Sequence, residues 1–245
     1  MIGTALPHRT QLSPNFGERK DGKSINCLVL HYTGMRSSTE ACEWLCNDAS
    51  EVSSHYLIDE AGGIVQMVGE NMRAWHSGVS TWFAEDDLNS TSIGIEIHNL
   101  GHHGYADFPL IQMLSVVVLC KDILHRHKIA PRMVLAHSDI APGRKVDPGE
   151  KFDWRMLHQH GVGHWVEPEP ISGGTFLQMG DQGDGVMALQ AMLKLYGYGI
   201  DVNGVFDQRT KIVVEAFQRH FRTALVDGIA DQSTVGTLHK LLQSR

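Results

Sequence analysis

The segment AHSDIAPGRKVDPG, residues 136–149, places a histidine and several charged side chains among turn-forming residues, directly after an apolar stretch. His137 and Asp147 are of the types that bind divalent metals. Lys145 stands two positions before the aspartate, so in an extended chain both side chains project to the same side. A hydrolytic zinc site takes three protein ligands and keeps one position open. The segment therefore predicts part of a metal site that needs a ligand from elsewhere in the chain.

His31 is the candidate for that further ligand. It lies near the end of INCLVLHY (25–32), a predicted strand on which Val29 and His31 share the face opposite the leucines. Two imidazoles and the carboxylate of Asp147 would leave an open position, at which bound water becomes acidic enough to act as a nucleophile. Spacing alone leaves a second explanation open, because His31 and His137 are far apart in the sequence and a buried histidine is often held by ordinary hydrogen bonds.

Glu96 lies in SIGIEIHN (92–99), where Gly94 and Glu96 share the face opposite the isoleucines. A glycine in a strand often marks the close approach of a ligand. A carboxylate near the metal could take a proton from the attacking water and pass it to the leaving amine, and Lys145 could stabilise the oxyanion of a tetrahedral intermediate. Both residues have structural alternatives: Glu96 as a salt-bridged strand end, and Lys145 as an ion-pair partner of Asp147 or a solvent-facing lysine.

Three further residues are candidate substrate contacts. Trp75 and His76 lie together in AWHSGVS (74–80), and an aromatic ring beside polar groups suits stacking on a sugar or a peptide. A core tryptophan beside a surface histidine is the alternative interpretation. Asn99, the last residue of SIGIEIHN, is the third candidate.

The pattern of apolar residues predicts the elements that position these side chains. A helix is expected over about 110–127, ended by Pro131. Strands over 54–59 and 63–68 flank the turn EAGG as a hairpin, and another strand is expected over 132–139. Alternating strands and helices indicate the α/β class, with a mixed central β-sheet flanked by helices.

A change in composition at WVEPEPISGGT (165–175) indicates a domain boundary. Beyond it, NGVFDQRT (203–210) and DGIADQST (227–234) each combine a turn with an aspartate placed to start a helix. With one helix before these repeats, the pattern predicts a small three-helix C-terminal domain. The two predicted domains are 1–168 and 176–245.

Bulk properties restrict the classes of partner. A net charge of −7 and a pI near 6.1 favour neither nucleic acid nor an anionic membrane surface. No apolar run is long enough to form a transmembrane segment, and the first residues lack the apolar centre of a signal peptide. The cysteines have no recognisable zinc or disulfide pattern, so we expect reduced thiols at Cys27, Cys42, Cys46 and Cys120.

Taken together, the motifs resemble the zinc N-acetylmuramoyl-L-alanine amidases of the AmpD/AmiD type. They run from about residue 13 to 155 and read, in order, SPNFGER, LVLHYTG, SHYLI, AWHSGVS, NSTSIGIEIHN and AHSDIAPGRKVDPG. The resemblance implies that His31, His137 and Asp147 bind Zn²⁺, that Glu96 is the catalytic acid/base and that Lys145 stabilises the transition state. Distant phage-type amidases and peptidoglycan recognition proteins share this fold but commonly use cysteine as the third ligand, so Asp147 favours the AmpD/AmiD branch.

The C-terminal region is similar to three-helix peptidoglycan-binding domains in LQAMLKLYGYGI, NGVFDQRT and VVEAFQRHF.

The resemblance to the amidases implies hydrolysis of the amide between N-acetylmuramic acid and the L-alanine of stem peptides, in cell-wall turnover or recycling. Peptidoglycan or anhydro-muropeptides are the implied partners, and a requirement for the 1,6-anhydro sugar stays open. The alternative is a non-catalytic muropeptide-binding protein of the same fold, against which the complete set of ligands argues.

Two expectations concern the larger context. Two-domain relatives imply the bacterial cell envelope or periplasm, and the cytoplasm is the alternative because no signal peptide is visible. A C-terminal domain that only holds the enzyme on its substrate raises the local substrate concentration. On that basis, a chain ending near residue 170 is expected to keep activity on small substrates.

Overall fold

A computed structural model of the protein describes residues 2–104 and 106–244, and its centre is a six-stranded mixed sheet. The spatial order of its strands is β1 (Arg9–Thr10), β5 (Ile64–Gln66), β4 (Tyr56–Ile58), β7 (Ser92–Ile97), β3 (Cys27–Tyr32) and β8 (Val134–Ala136). Within this sheet, β4 and β5 pair antiparallel and the other neighbouring strands pair parallel. A separate antiparallel pair is formed by β2 (Phe16–Glu18) and β6 (Met72–Ala74). The predicted mixed sheet and the predicted hairpin are both confirmed.

Helices flank the sheet and form the C-terminal region. In chain order they are α1 (Ser38–Leu45), α2 (Leu88–Thr91), α3 (Leu110–His127), α4 (His137–Ile140), α5 (Trp154–Gln159), α6 (Asp184–Tyr196), α7 (Gln208–Phe221) and α8 (Gln232–Gln243). The last three are the predicted three-helix C-terminal region. No helix within the described ranges is long and apolar enough to cross a bilayer.

The helix boundaries follow from local chemistry. Helix α3 has the predicted bounds and ends at Lys128, whose left-handed conformation (φ 53°) terminates it before Pro131 is reached. Helices α7 and α8 begin at the two repeated aspartates. Asp207 accepts the backbone N–H of Thr210 at 2.8 Å, and Asp231 accepts that of Thr234 at 2.7 Å.

The strand expected over 132–139 was wrong at both ends. Only Val134–Ala136 is strand: a 3-10 turn, Pro131–Met133, precedes it, and the chain turns into α4 at His137. The reason is Asp139, whose Oδ2 accepts the backbone N–H of Ala136 at 2.8 Å, as an acidic residue does in the first turn of a helix. The same contact fixes the direction in which the chain leaves the sheet.

Apolar side chains pack on both faces of the sheet. Leu28, Leu30 and the isoleucines of β7 pack in a core with α3. On the opposite face, Val29 and Leu135 belong to a core that continues into α6, α7 and α8. The central sheet and the C-terminal helices therefore share one hydrophobic core across the composition change at 165–175.

Candidate active site

Three neighbouring parallel strands bring the predicted chemistry together. In the register between β3 and β7, His31 lies beside Glu96. In the register between β3 and β8, Leu30 lies beside Ala136, so His137 follows next to His31. The carboxyl ends of parallel strands are the usual position of ligand sites in α/β sheets. Regular strand pairing thus aligns side chains that lie far apart in the sequence.

The atoms His31 Nδ1, His137 Nδ1 and Asp147 Oδ2 converge. The two nitrogens are 2.9 Å apart, and the carboxylate oxygen lies 3.2 Å from that of His31 and 3.0 Å from that of His137. Ligands held about 2.1 Å from a tetrahedral zinc ion are separated by roughly 3.3 Å. All three side chains are buried and together form a group suited to a metal ion. A small outward movement of each atom would accommodate the ion.

The remaining nitrogen of each imidazole has an acceptor. With both Nδ1 atoms free to bind an ion, His137 donates Nε2–H to the carbonyl of Ser77 at 3.0 Å. His31 donates Nε2–H to Nδ1 of His76, also at 3.0 Å. Such outer partners fix the tautomer and the orientation of metal-binding histidines. Because a carbonyl can only accept, the bond to Ser77 selects the form of His137 in which Nδ1 carries a lone pair.

Burial and mutual charge keep the group in its ligand form. Burial and the charge of His137 lower the pKa of His31 to about 4, so this imidazole is neutral at neutral pH. Burial by itself would raise the pKa of Asp147, but His137 and His31 lower it below the usual range. A neutral imidazole and an ionised carboxylate are the states that bind divalent metals.

His76 lies behind His31, under a space that a glycine leaves open. A Cβ atom at Gly94 would lie 2.5 Å from Cγ of His76. Nε2 of His76 contacts Ser92 Oγ at 3.1 Å, which extends the hydrogen-bond chain from His31 into β7. The glycine predicted to admit a ligand thus admits an imidazole, and His76 contacts the metal-site histidine directly.

Glu96 faces the same site with an unpaired carboxyl oxygen. Its Oε2 is buried, and no residue in the described part of the chain hydrogen-bonds it. Burial and the negative charge of Asp147 raise the pKa of Glu96 well above its usual range, against the opposing effect of Lys145. A buried polar atom without a partner is uncommon and indicates a functional role. The salt-bridge alternative for Glu96 finds no support in these contacts.

Glu96, His137 and Asp147 line a cavity of about 470 Å³. Lys145 lines it together with Asp147, as their spacing predicts, and Trp75 and His76 also line it. The apolar part of the lining is formed by Met35, Ala41, Trp44, Leu45 and Val52. A cavity lined by both polar and apolar side chains suits a ligand that carries both kinds of group.

Asn99 lies outside this cavity. Its side chain donates to the carbonyls of Ala106 and Asp107, at 3.2 and 3.5 Å, and accepts the N–H of Gly101 at 2.8 Å. It therefore holds the loop after β7, and its role as a substrate contact stays a prediction.

Two contributors to the site were not predicted from the sequence. Asn89 accepts the backbone N–H groups of His76 and Ser77 at 3.0 and 2.8 Å, which positions both residues beside the histidines. Trp44 was not singled out because a half-exposed tryptophan on a short helix has no distinguishing spacing. The motif NSTSIGIEIHN, which begins with Asn89, was the available indication for the first of these.

Comparison with known proteins decides the family. The family model for N-acetylmuramoyl-L-alanine amidases matches residues 21–150, more than half of the chain. The chain belongs to this amidase family. A second family model, for a peptidoglycan binding domain, matches residues 182–238 of the amidase. The predicted family and enzyme class are both confirmed.

Curated relatives and solved structures agree with this assignment. The N-acetylmuramoyl-L-alanine amidase AmiD of Escherichia coli is 34% identical over 232 residues, which cover 89% of this chain and 83% of that protein. The AmpD amidase of the same organism is 39% identical, over a match that covers 58% of this chain and 85% of AmpD. A structure of E. coli AmiD matches with a TM-score of 0.78 at 33% identity, over 94% of this chain and 98% of that one. A structure of AmpDH3 of Pseudomonas aeruginosa matches with a TM-score of 0.76 at 30% identity, over 100% of this chain and 98% of AmpDH3.

The amidase therefore hydrolyses the bond between N-acetylmuramic acid and the L-alanine of peptidoglycan stem peptides. The predicted fold, a mixed sheet flanked by helices with a helical C-terminal region, is that of AmiD and AmpDH3. The group formed by His31, His137 and Asp147 is compatible with a metal site in this family.

Proposed function

We propose that the amidase binds one Zn²⁺ through Nδ1 of His31, Nδ1 of His137 and the carboxylate of Asp147, and that Glu96 transfers the proton. The observation that carries this proposal is the convergence of three buried ligand atoms beside a carboxyl oxygen that has no partner within the described residues. Two imidazoles and one carboxylate form a ligand set typical of catalytic zinc. When bound, zinc would act as a Lewis acid and lower the pKa of water.

The residues of the chain supply the remaining steps. Glu96 accepts a proton from the attacking water, whose oxygen bonds to the lactyl carbonyl carbon. Lys145 places a positive charge at the cavity wall, where it stabilises the developing oxyanion. The carbon–nitrogen bond then breaks, and Glu96 returns the proton to the nitrogen of L-alanine. A carboxyl group whose pKa is raised is suited to both transfers near neutral pH.

We propose an orientation for the substrate in this cavity. The scissile amide lies beside Glu96 and Lys145, and the sugar lies against the aromatic surfaces of Trp75 and Trp44, all of which line the cavity. A structure of E. coli AmiD contains anhydro-N-acetylmuramic acid-L-Ala-D-γ-Glu-L-Lys, and one of AmpDH3 contains an anhydromuramic pentapeptide. We propose that anhydro-muropeptides are substrates of this amidase as well.

We also propose that the catalytic region comprises residues 1–168, and that residues 176–245 bind peptidoglycan. The peptidoglycan binding match at 182–238 supports the second assignment. A module that holds the enzyme on its substrate raises the local substrate concentration. The higher local concentration increases the rate of hydrolysis of insoluble peptidoglycan and leaves that of small muropeptides unchanged.

Metal analysis combined with product analysis tests the proposal. We expect purified enzyme to hold one zinc ion and to release free stem peptide from anhydro-muramoyl-tripeptide, as detected by mass spectrometry. Chelation should abolish this release, and added zinc should restore it. Asp147→Ala should lose both the metal and activity, whereas Asp201→Ala, on the exposed surface of the C-terminal region, should retain both. Full activity of the Asp147→Ala variant, or of thoroughly chelated enzyme, would refute the proposed site.

A further inference from the structure

The segment that carries two of the three proposed ligands rests on the C-terminal helices. Between His137 and Asp147 the chain passes over α7, where Arg209 donates to the carbonyl of Pro142 at 3.4 Å. Gly143 lies so close to this helix that an added Cβ would be 2.7 Å from Cδ1 of Ile212. The ligand segment 137–147 therefore lies directly against a helix of the peptidoglycan binding region.

Asp139 makes the most specific of these contacts. Its side chain is completely buried, two residues after His137. Tyr198 donates its hydroxyl to Oδ1 at 2.7 Å, and Nδ1 of His220 lies 2.7 Å from Oδ2. Because a carboxylate accepts, Nδ1 of His220 is the donor. The only other hydrogen bond to this carboxylate from a described residue is the backbone N–H of Ala136.

The two donors are themselves fixed by packing. The ring of His220 is stacked between Trp154, at a centroid distance of 3.7 Å, and Phe221, at 3.8 Å. Tyr198 packs against Trp82 with ring centroids 4.9 Å apart. Rigid donors of this kind define the position of the carboxylate they hold, and loss of a donor leaves a buried charge partly unsatisfied.

We propose that Tyr198 and His220 are positioning residues for the metal site, and that they act through Asp139 on the backbone that carries His137 and Asp147. The inference rests on the proposed metal site and adds a second role for the C-terminal helices. Besides binding peptidoglycan, they form a structural part of the active centre. His31, by contrast, projects from β3, which is paired on both sides within the sheet, and no residue of the C-terminal helices is among its hydrogen-bond partners in the described part of the chain.

The shared core leads to the same conclusion. Val29 and Leu135, which flank the ligand-bearing strand ends, pack against the C-terminal helices. A chain that ended near residue 170 would expose this apolar surface and leave Asp139 without its two side-chain donors. The expectation that such a chain keeps activity on small substrates therefore changes to loss of that activity.

A pair of tyrosine variants in the full-length enzyme tests the inference. Tyr198→Phe removes only the hydroxyl that Asp139 accepts. Tyr196→Phe is the matched control: Tyr196 is equally buried on α6, and its hydroxyl bonds to His164 at 2.9 Å instead. We expect Tyr198→Phe to weaken zinc binding about 10-fold in competition with a chelator, the effect typical of losing an outer partner. Tyr196→Phe should stay within about twofold of wild type.

Amide hydrogen exchange of metal-free enzyme is the second readout. Tyr198→Phe should accelerate exchange in residues 136–147 and leave β7 protected, whereas Tyr196→Phe should leave both unchanged. At His220, Asn keeps a donor near the position of Nδ1 and should retain more zinc affinity than Leu. Equal zinc affinity and equal exchange in Tyr198→Phe and wild type would overturn the inference, as would equal losses in the two tyrosine variants. Wild-type enzyme without zinc would refute the proposed metal site instead, and the exchange data would still decide whether Tyr198 holds the segment.

Discussion

Two glutamates with buried carboxyl oxygens have opposite surroundings in this enzyme. The side chain of Glu70 is fully buried and accepts from Tyr56 at 2.6 Å, from Arg126 at 2.7 Å and from His127 at 2.6 Å. Burial alone would raise the pKa of Glu70, but these hydrogen bonds lower it to about 2. Glu96 also has a buried carboxyl oxygen, yet no partner for that oxygen lies within residues 2–104 and 106–244, and burial raises its pKa.

The difference separates a structural carboxylate from the one proposed to act in catalysis. Glu70 joins β4 to α3 through partners that satisfy its charge, so its ionised form stabilises the fold. Glu96 contributes no such bond, and an unsatisfied buried group lowers the stability of the folded state. Groups of this kind cluster at functional sites, which supports the proposed role of Glu96 in proton transfer. The two residues should therefore respond in opposite ways to the same substitution.

Glu96→Gln should have the largest effect on catalysis. Gln has nearly the same shape but cannot carry a proton between water and the leaving amine, so we expect kcat/KM to fall by about 10²–10⁴-fold. Zinc content should be unchanged, and the free energy of unfolding should stay the same or rise. Hydrolysis of anhydro-muramoyl-tripeptide and urea unfolding measure the two quantities. Wild-type activity, or a loss of stability that accounts for the lost activity, would contradict the assignment.

Lys145→Met should be next in size. It preserves most of the side-chain length and removes the charge beside the proposed oxyanion, so kcat should fall about 100-fold. The zinc content should stay that of wild type. Lys194→Met, on the exposed surface of α6, is the control for loss of one positive charge and should retain full activity. Equal kcat values for the two variants would remove Lys145 from the mechanism.

Glu70→Gln should change stability and leave the chemistry intact. It replaces charge-assisted hydrogen bonds with neutral ones and removes the ion pair between Glu70 and Arg126, although Arg126 keeps its second ion pair, with Asp122. We therefore expect the free energy of unfolding at pH 7 to fall by about 2 kcal/mol. Activity per folded molecule should stay at the wild-type level. Loss of activity without loss of stability would remove the contrast between the two glutamates.

The same group predicts a pH dependence. The pKa of Glu70 is about 2 in the folded state, against an ordinary value of 4.5. Its contribution to stability is therefore complete above pH 4.5 and is lost as the pH falls from 4.5 towards 2. Urea unfolding at pH 7 and at pH 3 should show a smaller acid-induced loss in Glu70→Gln than in wild type. An identical loss in both would assign the acid sensitivity to other carboxylates.

The local alternation of residues was sufficient to predict on which face of its strand Glu96 lies. Alternation in SIGIEIHN placed Glu96 and Gly94 on the face opposite the core, and the end of INCLVLHY placed His31 on the corresponding face of its own strand. Both follow from the two-residue period of a strand. The resemblance to a family supplied the roles. The order of the strands could not be predicted, because pairing between β7, β3 and β8 joins distant segments.

Long-range hydrogen bonds account for what the sequence did not reveal. Asp139 is bound by residues 59 and 81 positions later, inside motifs that indicate a separate C-terminal domain. His76 was predicted to contact substrate because it lies beside a tryptophan. Its contact with His31 depends on the packing of its ring against Ser92 and Gly94 of β7. Single polar residues of this kind have no period, so only the folded structure reveals their partners.

Gly94→Ala should have the smallest effect and tests the space next to Glu96. The added methyl group would lie 2.5 Å from Cγ of His76 and displace the ring that accepts from His31. We expect zinc affinity to fall about 10-fold through the loss of this outer partner. Gly173→Ala is the control, since no atom of the described residues lies within 4 Å of its added Cβ. If both alanine variants bind zinc like wild type, the imidazole pair is not what orients His31, and the packing around Glu96 tolerates more movement than the structure implies.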